Sequence, residues 1–253
     1  MTWFRYVPGE KGPDPHVHLR HTDAFYVLEG ALEVGLGPDV QPVRAEAGTL
    51  AAAPTNVVHT FRNTSDSTAV FLNIHAPSMG FGDMLRARYD GREEDAQRFD
   101  QYDPPSDGGR AFADAVVSGP GEGEWIGSRS RIILKAGARD GDGHLSVFET
   151  IQPPGYSGPP PHLHRNTAEA FLVLDGTIVF TVGEMEAELE TGAFVLVPPH
   201  LPHTFSNPEE SEARCLTIGA PGGVEEFTRE AARANAAELA ALGPRHDTFL
   251  PGT

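Results

Sequence analysis

Two histidines one residue apart, His162 and His164, are followed five residues later by Glu169. Alternate side chains of an extended strand face the same side, so the two imidazoles point in one direction. The polar residues that come next favour a turn, and a chain that pairs back after this turn brings Glu169 towards both histidines. Two imidazoles and a carboxylate aimed at one point suit a divalent transition metal, namely Fe, Ni, Mn, Co, Cu or Zn.

The same pattern occurs earlier in the chain, because the sequence contains an internal duplication. The segment 14–30 matches the segment 160–176 at an offset of 146 residues. This offset aligns the histidine pair and the glutamate of the second copy with His16, His18 and Asp23 of the first.

A second matching block adds a fourth residue to each copy. The segments 48–63 and 192–207 align at an offset of 144 residues, and both contain a proline, a short turn and His-Thr-Phe. These histidines, His59 and His203, begin a strand that can lie beside the histidine pair. The two candidate metal sets are therefore His16, His18, Asp23 and His59 in the first copy, and His162, His164, Glu169 and His203 in the second.

Short apolar runs separated by glycine turns indicate the elements that position these residues. The runs AFLVLDG, TIVFTVG, EAELETG and AFVLVPP follow one another at intervals of seven to nine residues. Regular short strands with turn signals are typical of a sandwich or barrel, and the Glu-Gly and Asp-Gly pairs suit tight hairpins. We predict an all-β protein with two small antiparallel barrels in tandem, at 1–110 and 111–253.

The segments outside the repeats predict connectors and short peripheral helices. Met84, Leu85 and Arg88 have helical spacing, and the alanine-rich segment 223–244 has glutamates early and Gly-Pro at its end. The first copy has few residues before its histidine pair, so we expect one or two strands from 114–150 to complete its sheet.

The two blocks resemble the conserved motifs of the cupin superfamily, and because both occur in both halves, the chain resembles a bicupin. The resemblance implies a jelly-roll-like β-barrel in each half. It also implies that each barrel binds one metal ion through its own four-residue set. The second set matches the family pattern, whereas Asp23 stands where the family has glutamate. Aspartate can ligate a metal but is also common in turns, so both roles stay open for Asp23.

Among bicupins, the chain is similar to quercetinase-like metal-dependent dioxygenases. This resemblance implies an oxidoreductase for a small, largely apolar substrate that is hydroxylated or enolisable, with Glu169 as the catalytic base. An oxalate-decarboxylase-like or isomerase-type enzyme is an alternative, and so is a non-catalytic bicupin that binds a small ligand or metal. Oxalate would require an arginine in the barrel, and Arg165 is expected to point away from the metal.

Composition limits the classes of binding partner and the cellular locations that are expected for the protein. With 36 acidic and 19 basic residues, the net charge of −17 excludes nucleic acid as a partner. The chain shows neither an apolar secretion signal nor an apolar run of about 18 residues, so no membrane association is expected. The lone Cys215 allows no intrachain disulfide. We expect a soluble cytoplasmic monomer or homodimer that acts on a small molecule.

The remaining histidines lie outside the ligand spacing and are expected to have ordinary structural roles. One of them, in the sequence PPHLPH, should lie in the turn ahead of the ligand strand. These residues are His21, His75, His144, His200 and His246.

Overall fold

The chain folds into two compact units. The first unit contains Met1–Glu122 and Arg139–His144, and the second contains Gly123–Ala138 and Leu145–Thr253. The computed structural model describes residues 1–92, 94–126, 131–235, 238 and 241–252.

The first unit is made of short antiparallel strands in two sheets. A five-stranded sheet has the order β1-β7-β2-β5-β8, and a three-stranded sheet has the order β4-β3-β6. Phe25, Val34, Phe61 and Phe71 belong to the apolar core of this unit. The strands are β1 (Thr2–Tyr6), β2 (Thr22–Glu29), β3 (Ala31–Leu36), β4 (Gln41–Glu46), β5 (Leu50–Ala53), β6 (His59–Arg62), β7 (Ala69–Ala76) and β8 (Val116–Ser118).

The second unit repeats this arrangement. A six-stranded sheet has the order β15-β12-β17-β11-β10-β9, and a three-stranded sheet has the order β14-β13-β16. Its core includes Phe171, Ile178 and Phe180. The strands are β9 (Glu124–Ile126), β10 (Arg131–Ala136), β11 (Ser146–Gln152), β12 (Ala168–Asp175), β13 (Thr177–Val182), β14 (Met185–Glu190), β15 (Phe194–Val197), β16 (His203–Ser206) and β17 (Ala213–Ala220).

These sheets confirm the predicted all-β fold of two jelly-roll-like barrels. The expected extra strand of the first barrel is β8, which pairs with β5 from Leu50↔Ser118 to Ala52↔Val116. Because β8 packs in the first barrel, the first unit extends to Glu122, beyond the boundary that the sequence places at residue 110.

Two short α-helices lie entirely within the described residues. The helix predicted around Met84 is α1 (Phe81–Tyr89), and the start of the predicted C-terminal helix is α2 (Val224–Ala231). Residues 236–237 and 239–240 of that prediction lie outside the described residues. Its end is a 3-10 turn, Gly243–His246. Within the described part of the chain, no helix has the length and apolar character needed to span a membrane.

Comparison of two glycines with positive φ distinguishes the cost of backbone strain from the cost of a steric collision. Gly30 (φ 69°) joins β2 to β3, and a methyl group there would collide with the carbonyl oxygen of Thr68, whereas Gly121 (φ 70°) has no atom within 4 Å of an added Cβ. We expect Gly121→Ala to cost about 1 kcal/mol through its left-handed backbone, and Gly30→Ala to cost clearly more. Urea unfolding of both variants measures the difference, and equal midpoints would contradict the packing described for the β2–β3 turn.

Candidate metal centres

Strand pairing brings the second candidate set together. The segment that carries His162 runs beside β16, where the His162 amide donates to the His203 carbonyl at 3.0 Å and the His203 amide donates back at 2.8 Å. Glu169 lies on β12, opposite Gly219 of β17. In the first unit, His16 and His59 form the same bridge, and Asp23 lies opposite His75.

All six histidines of the two sets are oriented by the backbone in the same way. Each Nδ1 lies within hydrogen-bonding distance of a carbonyl oxygen, which can only accept, so each Nδ1 carries the proton. A neutral imidazole protonated at Nδ1 has a lone pair on Nε2, the form that binds a metal. The pairs are His16–Asp14 (2.8 Å), His18–Asp100 (2.8 Å), His59–Val57 (3.0 Å), His162–Pro160 (3.0 Å), His164–Asp247 (2.8 Å) and His203–Leu201 (3.2 Å).

In the second unit, a carboxylate faces these lone pairs. Glu169 Oε2 lies 3.2 Å from His164 Nε2 and 2.8 Å from His203 Nε2. Burial would raise the pKa of Glu169, but the close approach of His164 and His203 holds this pKa well below its ordinary value. Burial lowers the pKa of His164 and the nearby Glu169 raises it. The net effect is a rise above the ordinary value. A buried acceptor that faces other acceptors requires a cation or an extra proton between them.

The first unit also brings buried acceptors together, and here two of the histidine nitrogens are left unpaired. Asp23 Oδ2 lies 3.3 Å from His59 Nε2 and 3.8 Å from His18 Nε2. Both nitrogens are buried, and neither has a hydrogen-bond partner among the residues that the structure describes. Within each set the four ligand atoms lie within 4.8 Å of one another. The residues of both sets therefore fit a metal ion.

The first histidine of each pair is neutral near neutral pH, so protons do not compete with a metal ion for its lone pair. Burial and the neighbouring imidazoles lower the pKa of His16 to about 2. Burial and His203 lower the pKa of His162 to about 4. Since metal binding requires neutral imidazole, these shifts favour metal over proton.

Two histidines that were predicted to have ordinary structural roles, His21 and His75, lie next to the first set. His75 Nδ1 is 2.8 Å from His21 Nε2, and His21 Nδ1 is 2.8 Å from Asp100 Oδ2. His75 Nε2 donates to the Asn73 side chain at 3.0 Å, and that side chain donates to Asp23 Oδ1. A difference between the repeats marks this feature in the sequence, since IHAP of the first copy is IGAP in the second. By contrast, His200 lies in the turn ahead of β16, as predicted.

The sequence pattern did not identify two aspartates that hydrogen-bond to the second histidine of each pair. Asp100 and Asp247 both have left-handed backbone (φ 61° and 56°), and their carbonyls accept from His18 and His164. The Asp247 side chain also accepts the amides of residues 165–167. The sequence signal is a third repeat, RFDQY at 98–102 and RHDTF at 245–249, at an offset of 147 residues.

Comparison with known families agrees with this geometry. The Cupin domain family matches residues 2–75 and 147–219, together more than half of the chain. The chain belongs to the cupin family. With one cupin domain in each half it is a bicupin, which confirms the resemblance seen in the sequence.

Individual relatives of this bicupin are distant. A 62-residue segment is 39% identical to the polyketide synthase CurC of Streptomyces cyaneus, and this segment spans 24% of the bicupin and only 38% of that relative. Among solved structures, the salicylate 1,2-dioxygenase of Pseudaminobacter salicylatoxidans has a TM-score of 0.59 at 14% identity, over 86% of the bicupin and 69% of the dioxygenase.

Solved structures with other roles are equally similar. The oxalate decarboxylase of Lactobacillus farciminis has a TM-score of 0.58 at 11% identity, over 94% of the bicupin and 82% of that chain. The 11S globulin of Wrightia tinctoria has a TM-score of 0.57 at 12% identity, over 87% and 75% of the two chains. Because these identities are low, the likeness shows the fold alone.

Asp247 provides a test of the contacts that orient the second set. If each set holds a metal ion, Asp247→Ala should weaken metal binding at the second set by roughly tenfold to a hundredfold, because outer contacts of this kind orient the ligands and tune their affinity for the metal. Competition with a chromophoric chelator measures both affinities. Asp175→Ala, on the exposed end of β12, is the matched control. If both variants bind metal equally well, Asp247 does not support the site.

Proposed function

We propose that this bicupin is a metal-dependent oxidoreductase, a quercetinase-like dioxygenase for a small, largely apolar substrate that is hydroxylated or enolisable. The observation that carries the proposal is the difference between the two carboxylates. Both contacts of Glu169 with the histidines, within the described residues, use Oε2, so Oε1 is available to a substrate. In the first barrel, Asp23 Oδ1 already accepts from Asn73.

Each barrel would hold one divalent transition metal (Fe, Ni, Mn, Co, Cu or Zn) through its four-residue set. Such a metal supplies a Lewis acid that lowers the pKa of a hydroxyl group bound to it. In the second barrel, Glu169 accepts that proton at Oε1 as the general base. His162, His164 and His203 keep their lone pairs aimed at the same point because their Nδ1 protons are held by the backbone.

The surroundings of the second set support an apolar substrate. The Phe171 ring centroid lies 6.0 Å from that of His203 and 5.7 Å from that of Phe205. Aromatic walls exclude water from a general base and bind the body of an apolar molecule by burial. His162 is half-buried, whereas His16 is only 5% exposed, so a substrate reaches the second set more readily. We therefore assign turnover to the second barrel.

The position of Arg165 weakens the oxalate-decarboxylase-like alternative. Its guanidinium stacks over the Phe249 ring, 3.8 Å from the ring centroid, and Phe249 pairs with Leu163. The side chain of Leu163 points away from those of the histidine pair, so an arginine stacked there does not neutralise a dicarboxylate at the metal.

Composition supports a cytoplasmic location and a monomer or homodimer. The net charge of −17 favours solubility and disfavours polyanions. Cys215 is buried, and burial raises the pKa of its thiol to about 12, so it stays a protonated thiol rather than a reactive thiolate.

The two carboxylates provide the test of the active barrel. Glu169→Gln should retain most of the metal, because the amide oxygen can still ligate, but should lose turnover by roughly a hundredfold or more because the base is gone. Asp23→Asn should cost much less. Metal content and oxygen uptake with flavonols are measured on the same samples. If Asp23→Asn abolishes oxygen uptake while Glu169→Gln leaves it intact, the first barrel is the active one.

Metal removal separates an enzyme from a binding protein. Chelation should abolish oxygen uptake with flavonols, and adding back Fe, Ni, Mn, Co, Cu or Zn singly should restore it with at least one ion. Metal analysis of the refilled protein is the control for occupancy. If the protein holds its full metal complement and consumes no oxygen with any flavonol, the dioxygenase proposal is wrong and the non-catalytic alternative is favoured.

A further inference from the structure

His75 shares with the six histidines of the two sets the orientation that prepares an imidazole to bind a metal. Its Nδ1 lies 2.8 Å from His21 Nε2, and its Nε2 faces inward, 3.5 Å from Asp23 Oδ1. His59 and His18 place their Nε2 atoms at similar distances from the same carboxylate, 3.3 Å and 3.8 Å from Oδ2. Around one ion with bonds of about 2.1 Å, adjacent donor atoms are roughly 3 Å apart and opposite donor atoms roughly 4 Å. Three imidazoles therefore surround Asp23 at ligand spacing.

Packing and hydrogen bonds hold the His75 ring in this position. The ring is buried and stacks on Phe81, with ring centroids 3.8 Å apart and planes inclined by 17°. Behind it, the buried His21 has its Nδ1 2.8 Å from Asp100 Oδ2. Arg20 Nε donates to Asp100 Oδ1 at 3.2 Å and the Arg20 amide donates to Oδ2 at 2.8 Å, so Asp100 is a carboxylate that only accepts. The proton of His21 therefore lies on Nδ1, and its Nε2 is an acceptor for His75.

Neutral imidazoles leave one contact of this chain of hydrogen bonds unsatisfied. If His75 Nε2 donates to Asn73 Oδ1, the 2.8 Å contact between His75 Nδ1 and His21 Nε2 brings two lone pairs together. If the proton instead lies on Nδ1, the lone pair on Nε2 faces two oxygens, Asn73 Oδ1 at 3.0 Å and Asp23 Oδ1 at 3.5 Å. Buried acceptors meet favourably only around a cation. The chain is thus one positive charge short, and an ion beside Asp23 supplies that charge.

We propose that His75 is a fifth ligand of the metal ion in the first barrel, in addition to the four-residue set. Binding of the ion places the His75 proton on Nδ1, where it is donated to His21 Nε2, and leaves the Nε2 lone pair for the metal. The inference rests on the ion that the proposed function assigns to this barrel. Four imidazoles and one carboxylate form a nitrogen-rich set, which suits Ni, Cu or Zn better than Mn.

The second barrel has no counterpart of this ligand. At the offset of 144 residues, Asn73 and His75 correspond to Thr217 and Gly219. A glycine has no side chain to offer, so the ion of the second barrel is left with its four-residue set. Five protein ligands leave one open position on an octahedral ion, whereas four leave two. The first centre is therefore the more enclosed of the two, and the second has more room for a substrate.

Cobalt(II) bound to the full-length protein tests the assignment by a count of histidine ligands. The paramagnetic ion shifts the ring N–H proton of each histidine that it binds far outside the ordinary range of the proton NMR spectrum, and these signals are lost in heavy water. The ligand histidines carry this proton on Nδ1. With both barrels loaded, the wild type should show seven such signals, six from the two sets and one from His75.

The variant His75→Ala should show six of these signals. It should also weaken cobalt binding at the first set by at least about tenfold, because loss of a ligand costs no less than loss of an outer contact. His144→Ala is the matched control. This histidine is half-buried, and its Nδ1 lies 3.1 Å from the Thr22 hydroxyl, so its removal should leave all seven signals. The signals of the second set show in each variant that the protein is folded.

Six signals in the wild type that persist in His75→Ala overturn the proposal, and the missing charge is then a proton shared by His21 and His75. Three signals in a protein that binds a single cobalt ion mean that only the second set is loaded, which overturns both this proposal and the ion of the first barrel. The dioxygenase proposal is tested separately by oxygen uptake. Because no turnover enters the count of signals, its failure leaves the count unaffected.

Discussion

The hydrogen bonds from histidine Nδ1 to backbone carbonyls are the interaction on which both centres depend. Each bond fixes the proton on Nδ1 and directs the Nε2 lone pair inward, where three such lone pairs and a carboxylate meet. Without a cation this meeting of acceptors is unfavourable in a buried site. The strand pairing, the left-handed aspartates and the turn at His200 all serve to hold these carbonyls in place. The backbone therefore contributes as much as the side chains to the fit of each set for a metal ion.

The duplication shows how one such centre diverges when a single methylene is removed. Asp23 is shorter than Glu169, and the first barrel places Asn73 and His75 beside it, where the second barrel has Thr217 and Gly219. His75 stacks on Phe81 at the start of α1, with ring centroids 3.8 Å apart. A side chain at Gly219 would instead press on Val224 at the start of α2, since an added Cβ would lie 3.2 Å from it. The helix that follows each barrel thus limits which residues surround the carboxylate.

The sequence was sufficient for the fold, because alternation, turns and the repeat are local signals, and the structure brings the members of each predicted set close together. It was insufficient for Asp100 and Asp247, which lie 82 and 83 residues from the histidines they hold and in a repeat of only five residues. The contacts of His21 and His75 depend on the approach of distant strands, so spacing alone did not place them beside Asp23. The pairing of β8 with β5, which places Val116–Ser118 in the first unit, likewise has no local signal in the sequence.

The two centres also differ in burial. His16 is 5% exposed in the first barrel, where Phe112 and Ala115 pack against the apolar core, whereas His162 of the second set is half-buried. A small molecule reaches a buried centre only through a path that the folded barrel leaves accessible, because opening a packed core exposes apolar surface to water. The more accessible set is also the one with the longer acid, so access and reach coincide in the second barrel.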